Sequence, residues 1–168
     1  MNMQYWKAGL MFLLAFFVQS SLLNLIGIAG YTPNLMLCLV VVLSFLYESE
    51  MYGVVYGALF GILYDICYSS VIGPTAISLV LVAIFILLVR EAANTENVVN
   101  MWIVTLLSIF MYYGIDWLLL RLSGNPIGFV YVIKSLPVVC IYSFGVITLI
   151  YFILIRKAVK HRKDRYFR

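Results

Sequence analysis

Charge is scarce in this chain of 168 residues, of which 11% are charged, against about a quarter in an ordinary soluble domain. Together with a hydrophobic fraction of 65%, that deficit excludes a water-soluble globule, a disordered chain and a separate soluble domain. Histidine is nearly absent too. The one imidazole, His161, lies in a basic C-terminal segment, so none is available inside the apolar segments for base catalysis or metal binding. Cys38, Cys67 and Cys140 fall in three different apolar segments without the paired spacing of metal or redox sites, and read as structural thiols. The chain has no Gly-x-Ser-x-Gly elbow, no Gly-rich phosphate loop with Lys and no aspartate cluster for Mg²⁺. No catalytic residue, metal or cofactor is expected, and an enzyme would have to work with Asp65, Asp116 and a few hydroxyls.

What the sequence has is long apolar runs, with a mean hydropathy of +1.07. A membrane barrel would alternate apolar and polar residues along segments of about ten. These runs are continuous, and a helix satisfies its own backbone in lipid, so the expected fold is all-α, a polytopic bundle of about six transmembrane helices at about 20 residues each. The spans are placed at about Trp6–Ile28, Leu35–Tyr47, Met51–Tyr68, Thr75–Val89, Val98–Leu120 and Ser135–Ile155. The first resembles a signal peptide in position, but further apolar segments follow at once, and it is kept as a permanent helix. Glu48-Ser49-Glu50 forms an acidic turn, Arg90 to Asn97 a polar loop, and Ser123-Gly124-Asn125-Pro126 with Gly128 a turn-rich connector running to Lys134. Pro33, Pro74 and Pro137 each fall in the first few residues of a span, where a missing N–H costs little.

An even number of spans puts both termini on one side. Seven of the eleven basic residues lie from Arg156 to Arg168, beside the single acid Asp164, and the positive-inside rule places that side in the cytoplasm. Nine basic residues are then inside, and only Arg121 and Lys134 outside. Residues 1–155 are expected to form the membrane domain and 156–168 a basic cytoplasmic tail. Its Arg156, Lys157, Lys160, Arg162 and Lys163 face anionic lipid, at about 1 kcal/mol per residue. The cluster is short and adjoins the membrane, so nucleic acid is not an expected partner.

The third span carries Gly53, Gly57, Gly61 and Asp65 every four residues, with Ala58 widening the small face. Residues four apart share one helix face, and a stripe without side chains lets another backbone approach closely. It serves packing inside the bundle or docking of a partner's helix. Asp65 would lie roughly 21 Å across the membrane at 1.5 Å per residue, and Asp116 also falls toward the outer end. Such buried carboxylates normally have partners. The alternatives are a polar cavity open to the outside, a contact point for an extracytoplasmic protein, or a structural ion pair or hydrogen bond to Tyr64, Tyr68, Tyr112 or Tyr113. Tyr5, Trp6, Tyr31, Tyr47 and Trp102, near span ends, suit an interfacial aromatic belt.

Pro33-Asn34-Leu35 opening the second span, the Gly-spaced third span ending in Asp65, and Gly73-Pro74 with Ala76 opening the fourth resemble the bacterial MreD family of rod-shape-determining proteins. The resemblance runs from the first span to the basic tail, with Pro33, Asn34, Gly57, Gly61 and Asp65 matching by position. It implies a non-enzymatic plasma-membrane subunit of the cell-elongation machinery, maintaining cell shape and directing peptidoglycan synthesis beside the single-span protein MreC. RodA, a class B penicillin-binding protein and MreB are implied through the complex, and self-association of the chain is left open. The fold implied resembles the substrate-binding S-components of energy-coupling factor transporters, six helices around an outward cavity. Glu48, Glu50 and Asp116 lie outside the pattern. Two other functions compete: a vitamin-binding S-component, for which only the Arg121–Lys134 connector is long enough to cap a pocket, and a membrane enzyme acting on a lipid-linked substrate.

Overall fold

A computed structural model of the chain describes residues 5–21, 34–47, 51–90, 97–124 and 128–166, without the side chains of 20, 129, 131 and 154–166. Six helices account for nearly all of these residues: α1 Tyr5–Ser21, α2 Leu35–Leu46, α3 Tyr52–Tyr68, α4 Pro74–Val89, α5 Val98–Leu122 and α6 Phe129–Tyr166. No strand occurs among the described residues, as expected of an all-α bundle. The far half of the first expected span, Pro33, the Glu48–Glu50 turn, residues 91–96 and Asn125-Pro126 lie outside them.

The apolar run of α2, Leu-Met-Leu-Cys-Leu-Val-Val-Val-Leu-Ser-Phe-Leu, is hydrophobic all round. A helix of that kind is enclosed on every side, and here every residue from Met36 to Leu46 is buried. The other five helices all contact it. At about 1.5 Å per residue its twelve residues extend only about 18 Å, well short of the roughly 30 Å hydrocarbon thickness. Wrapped by its neighbours, α2 does not need the length of a lipid-exposed span.

The outer helices reverse the pattern of a soluble protein. Leu14 and Phe17 of α1, Leu59 and Ile66 of α3, Leu88 of α4, Phe110 of α5 and Leu149 of α6 are all exposed, whereas Ser44, Ser78, Thr105, Ser108 and Ser143 are buried. Water would penalise such an apolar exterior, and lipid would not. Val98–Leu122 and Val132–Ile153 are long and apolar enough to cross a membrane, and the remaining four helices are shorter and apolar.

α3 runs antiparallel to α2 and α4 and parallel to α1. At one end the Tyr56 hydroxyl donates to the Tyr5 carbonyl at 2.6 Å, and the Tyr52 ring meets those of Tyr5 and Tyr47 at 4.8 and 5.8 Å. Arg90 joins this end by donating from Nη1 to the carbonyls of Ser44 and Tyr47, at 3.0 and 2.8 Å. A cation thus meets the unpaired carbonyls at the C-terminus of α2. Farther along, Phe12 stacks on Tyr56 and Phe60 at 5.5 and 5.6 Å, which fixes α1 against α3. Between α5 and α6, Trp102 Nε1 donates to Thr148 Oγ1 at 3.2 Å.

α6 departs from expectation. It begins at Phe129, so Pro137 is a helix-interior residue and not a helix opener, and the connector after α5 is much shorter than Arg121–Lys134. The preceding segment Val-Tyr-Val-Ile is apolar enough to continue the helix, and a proline forfeits only one backbone bond where neighbouring helices support the turn. The basic segment is likewise a helical continuation of α6 as far as Tyr166. The side chains of Arg156, Lys157, Lys160, Arg162 and Lys163 lie outside the described residues.

Candidate functional site

The ends of α1, α3 and α5 and the beginnings of α2 and α4 converge opposite the Arg90 end, and local sequence explains how each is held. Asn34 caps α2, its Oδ1 accepting from the Leu37 amide at 3.1 Å, as a short polar side chain at a helix N-terminus does. Gln19 ties α1 to the same place, its Oε1 accepting from the Met36 amide at 3.3 Å. α4 opens with Gly73 at φ +119° followed by Pro74. A side chain at position 73 would be strained by that backbone, and proline suits the first helical position.

Asp65 holds this second helix start. Its Oδ2 accepts from the amides of Gly73 and Thr75, at 2.8 and 3.1 Å, and its side chain is fully buried. The carboxylate therefore caps α4 from the last turn of α3, meeting orphan amides and the positive end of the helix together. Neither the ion pair nor the tyrosine hydrogen bond weighed from sequence is present among the described residues. A cap eight and ten residues further along the chain gives no periodic signal.

Gly53, Gly57 and Gly61 face inward. A Cβ at Gly61 would stand 2.6 Å from Ala76 Cα, and one at Gly57 would stand 3.3 Å from Val40 Cγ2 and 3.4 Å from Leu79 Cβ. One at Gly53 would collide with Ser44 Oγ. Of the two roles open to the stripe, the geometry is that of packing against α2 and α4 within the chain. Gly61 and Ala76 belong together: the two small residues bring α3 beside the helix that Asp65 caps.

Asp116 does something different. It lines a cavity of about 250 Å³ together with Tyr112, Tyr113 and Leu120 from α5. Tyr64, Tyr68 and Ser69 supply the α3 side, and Gln19, Asn34 and Thr75 complete the lining. Asp116 Oδ1 is buried without a hydrogen-bond partner among the described residues. Arg121 does not pair with it, its guanidinium lying over the Trp117 ring at 5.4 Å. The two carboxylates singled out from sequence are thus at the same end, one a structural cap in the wall and the other in the cavity. Thr75 joins them, giving its amide to Asp65 and lining the space beside Asp116. Sequence reading missed the contributions of Gln19, Thr75 and Arg90. The only signal for them is a polar side chain near the end of an apolar run.

An apolar exterior, a few hydroxyl side chains buried in an otherwise apolar core, and helices of span-like hydropathy define the class, among the described residues, as an all-helical membrane bundle. Residues 2–161, essentially the whole chain, match the family described as rod shape-determining protein MreD, and the chain belongs to that family. Its role is accordingly in rod shape determination. The chain matches no curated protein and no solved structure.

Proposed function

We propose that the chain is a non-enzymatic scaffold subunit of the cell-elongation machinery, pairing with MreC and, through it, with RodA, a class B penicillin-binding protein and MreB to direct peptidoglycan synthesis along the lateral wall. The family match over residues 2–161 carries this reading. On it, all six helices are embedded in the plasma membrane, both termini face the cytoplasm, and the cavity end faces outward. The charge distribution supports that orientation: Arg90 and the basic end of α6 share one side, and Arg121 and Lys134 the other. Since the glycine stripe is occupied by α2 and α4, a partner's helix would dock on an outer apolar face, such as the one that includes Leu59 and Ile66 of α3. The cavity is smaller than the roughly 300–1,000 Å³ usual for a ligand pocket, which weighs against a vitamin carrier.

The test is a photo-crosslinking residue placed in turn at Leu14, Leu59, Leu106 and Leu149, with the buried aromatic Phe45 of α2 as the inward control. Crosslinks to MreC from one or two outer positions and none from position 45 are expected, together with rounding of cells on depletion. Normal rods after depletion, or no crosslink from any outer position, would remove the basis for the scaffold. Ser70→Cys in a chain without other cysteines should react with an impermeant maleimide from outside, and a C-terminal tag should be reached only after permeabilisation. The reverse pattern would invert the orientation.

A further inference from the structure

An isolated carboxylate in a low-dielectric setting needs a counter-charge or a proton, and Asp116 has no basic partner among the described residues. No Lys or Arg lines its cavity. Beside four uncharged polar residues, the cavity around it holds four aromatic rings: Tyr64 and Tyr68 on α3, with ring centroids 5.2 Å apart, and Tyr112 and Tyr113 on α5, also 5.2 Å apart. Ring quadrupoles attract cations, and the combination of several aromatic rings with an acidic group is how proteins hold organic ammonium ions. Asp116 is the single acidic side chain lining the cavity, and its one charge balances a monovalent ammonium but leaves a divalent metal ion half neutralised. The size is also selective, since about 250 Å³ accommodates a small polar head and not a cofactor-sized molecule.

We propose that this cavity binds an organic ammonium group, held by the Asp116 carboxylate and ringed by the four tyrosines, and that a membrane lipid headgroup supplies it. The same turns of α1, α3 and α5 that line the cavity present Phe17, Ile66 and Leu118 outward. An acyl chain can therefore lie against the outside of the helices at the depth where the headgroup is captured. The proposal does not depend on which partner the scaffold holds or on which leaflet the cavity faces.

Purified full-length protein, stripped of lipid in detergent, is offered equal amounts of phosphatidylethanolamine and phosphatidylglycerol with the same acyl chains, and the retained lipid is counted by native mass spectrometry. The wild type should retain one ethanolamine lipid per chain with a preference of about tenfold or more, and Asp116→Asn should abolish that preference. Tyr113→Phe keeps the ring and should keep the preference, whereas Tyr113→Leu should lower it several-fold. This pair decides the matter if Asp116→Asn does not fold. Displacement by excess free ethanolamine would show that the headgroup alone is recognised, and failure to displace, with the Asp116 dependence intact, that the whole lipid is the ligand. Either supports an ammonium site. Equal retention of the two lipids by the wild type, or an unchanged preference in Asp116→Asn, overturns it. So does a zero-length crosslink from Asp116 to a lysine of a co-purified protein, which would assign the carboxylate to a protein contact.

Discussion

Adding one methyl group at Gly61 should force two helices apart. In Gly61→Ala the new Cβ would meet Ala76 at 2.6 Å from Cα, 3.0 Å from the backbone nitrogen and 3.1 Å from Cβ. Two of these three atoms are backbone and none can rotate away. Carbon atoms rest at about 3.5–4.0 Å, so α3 and α4 must separate locally by about 1 Å. Overpacking of this kind costs about 1–3 kcal/mol, while replacing glycine by alanine in a helix returns up to about 1 kcal/mol. Gly114→Ala isolates the second effect, because a Cβ there meets nothing within 4 Å. The difference between the two variants should be about 1–3 kcal/mol, or about 2–10 °C in apparent melting temperature, read as the fraction of monodisperse protein surviving a heat step in mild detergent. Gly57→Ala, facing side chains at 3.3 and 3.4 Å, should fall between them. Equal melting of Gly61→Ala and Gly114→Ala would refute the close approach of α3 and α4.

Asp65→Ala removes the acceptor of two backbone bonds to α4 and should destabilise the bundle by about 1–3 kcal/mol. Hydrogen exchange should speed up first at the Gly73 and Thr75 amides, and unchanged protection there would refute the cap. Arg90→Ala strips the α2 C-terminus of its donor and should cost a similar amount in the same melting assay. Arg90→Lys should recover part of it, because an ammonium reaches two carbonyls less well than a guanidinium. Equal loss in the lysine and alanine variants would show that the charge contributes nothing there.

The helix positions were largely legible because each depends on residues close in the chain. The expected limits of the third, fourth and fifth spans agree with α3, α4 and α5 to within two residues, since apolar runs and the Gly73-Pro74 helix start act locally. The start of α6 was placed six residues late for the same reason, although its apolar stretch Val132–Ile153 matches the expected span closely. Proline at position 137 is a local stop signal, and it was overridden by an apolar segment on its N-terminal side and by the packing of α6 against α2 and α5.

Composition alone determined that this chain must fold in an apolar solvent, and the four-residue spacing alone determined that α3 has a glycine face ending in a carboxylate. Which neighbour meets that face was settled by tertiary structure. Lipid and protein interior are equally apolar, so hydropathy gives the same signal for the enclosed α2 and for the lipid-suited outer faces of α5 and α6. Polar partnerships reach farther still. Arg90 meets carbonyls 43 and 46 residues away, and the cavity around Asp116 draws on five helix ends. A side chain's chemistry is written at its own position, but its partner is chosen only when the helices come together.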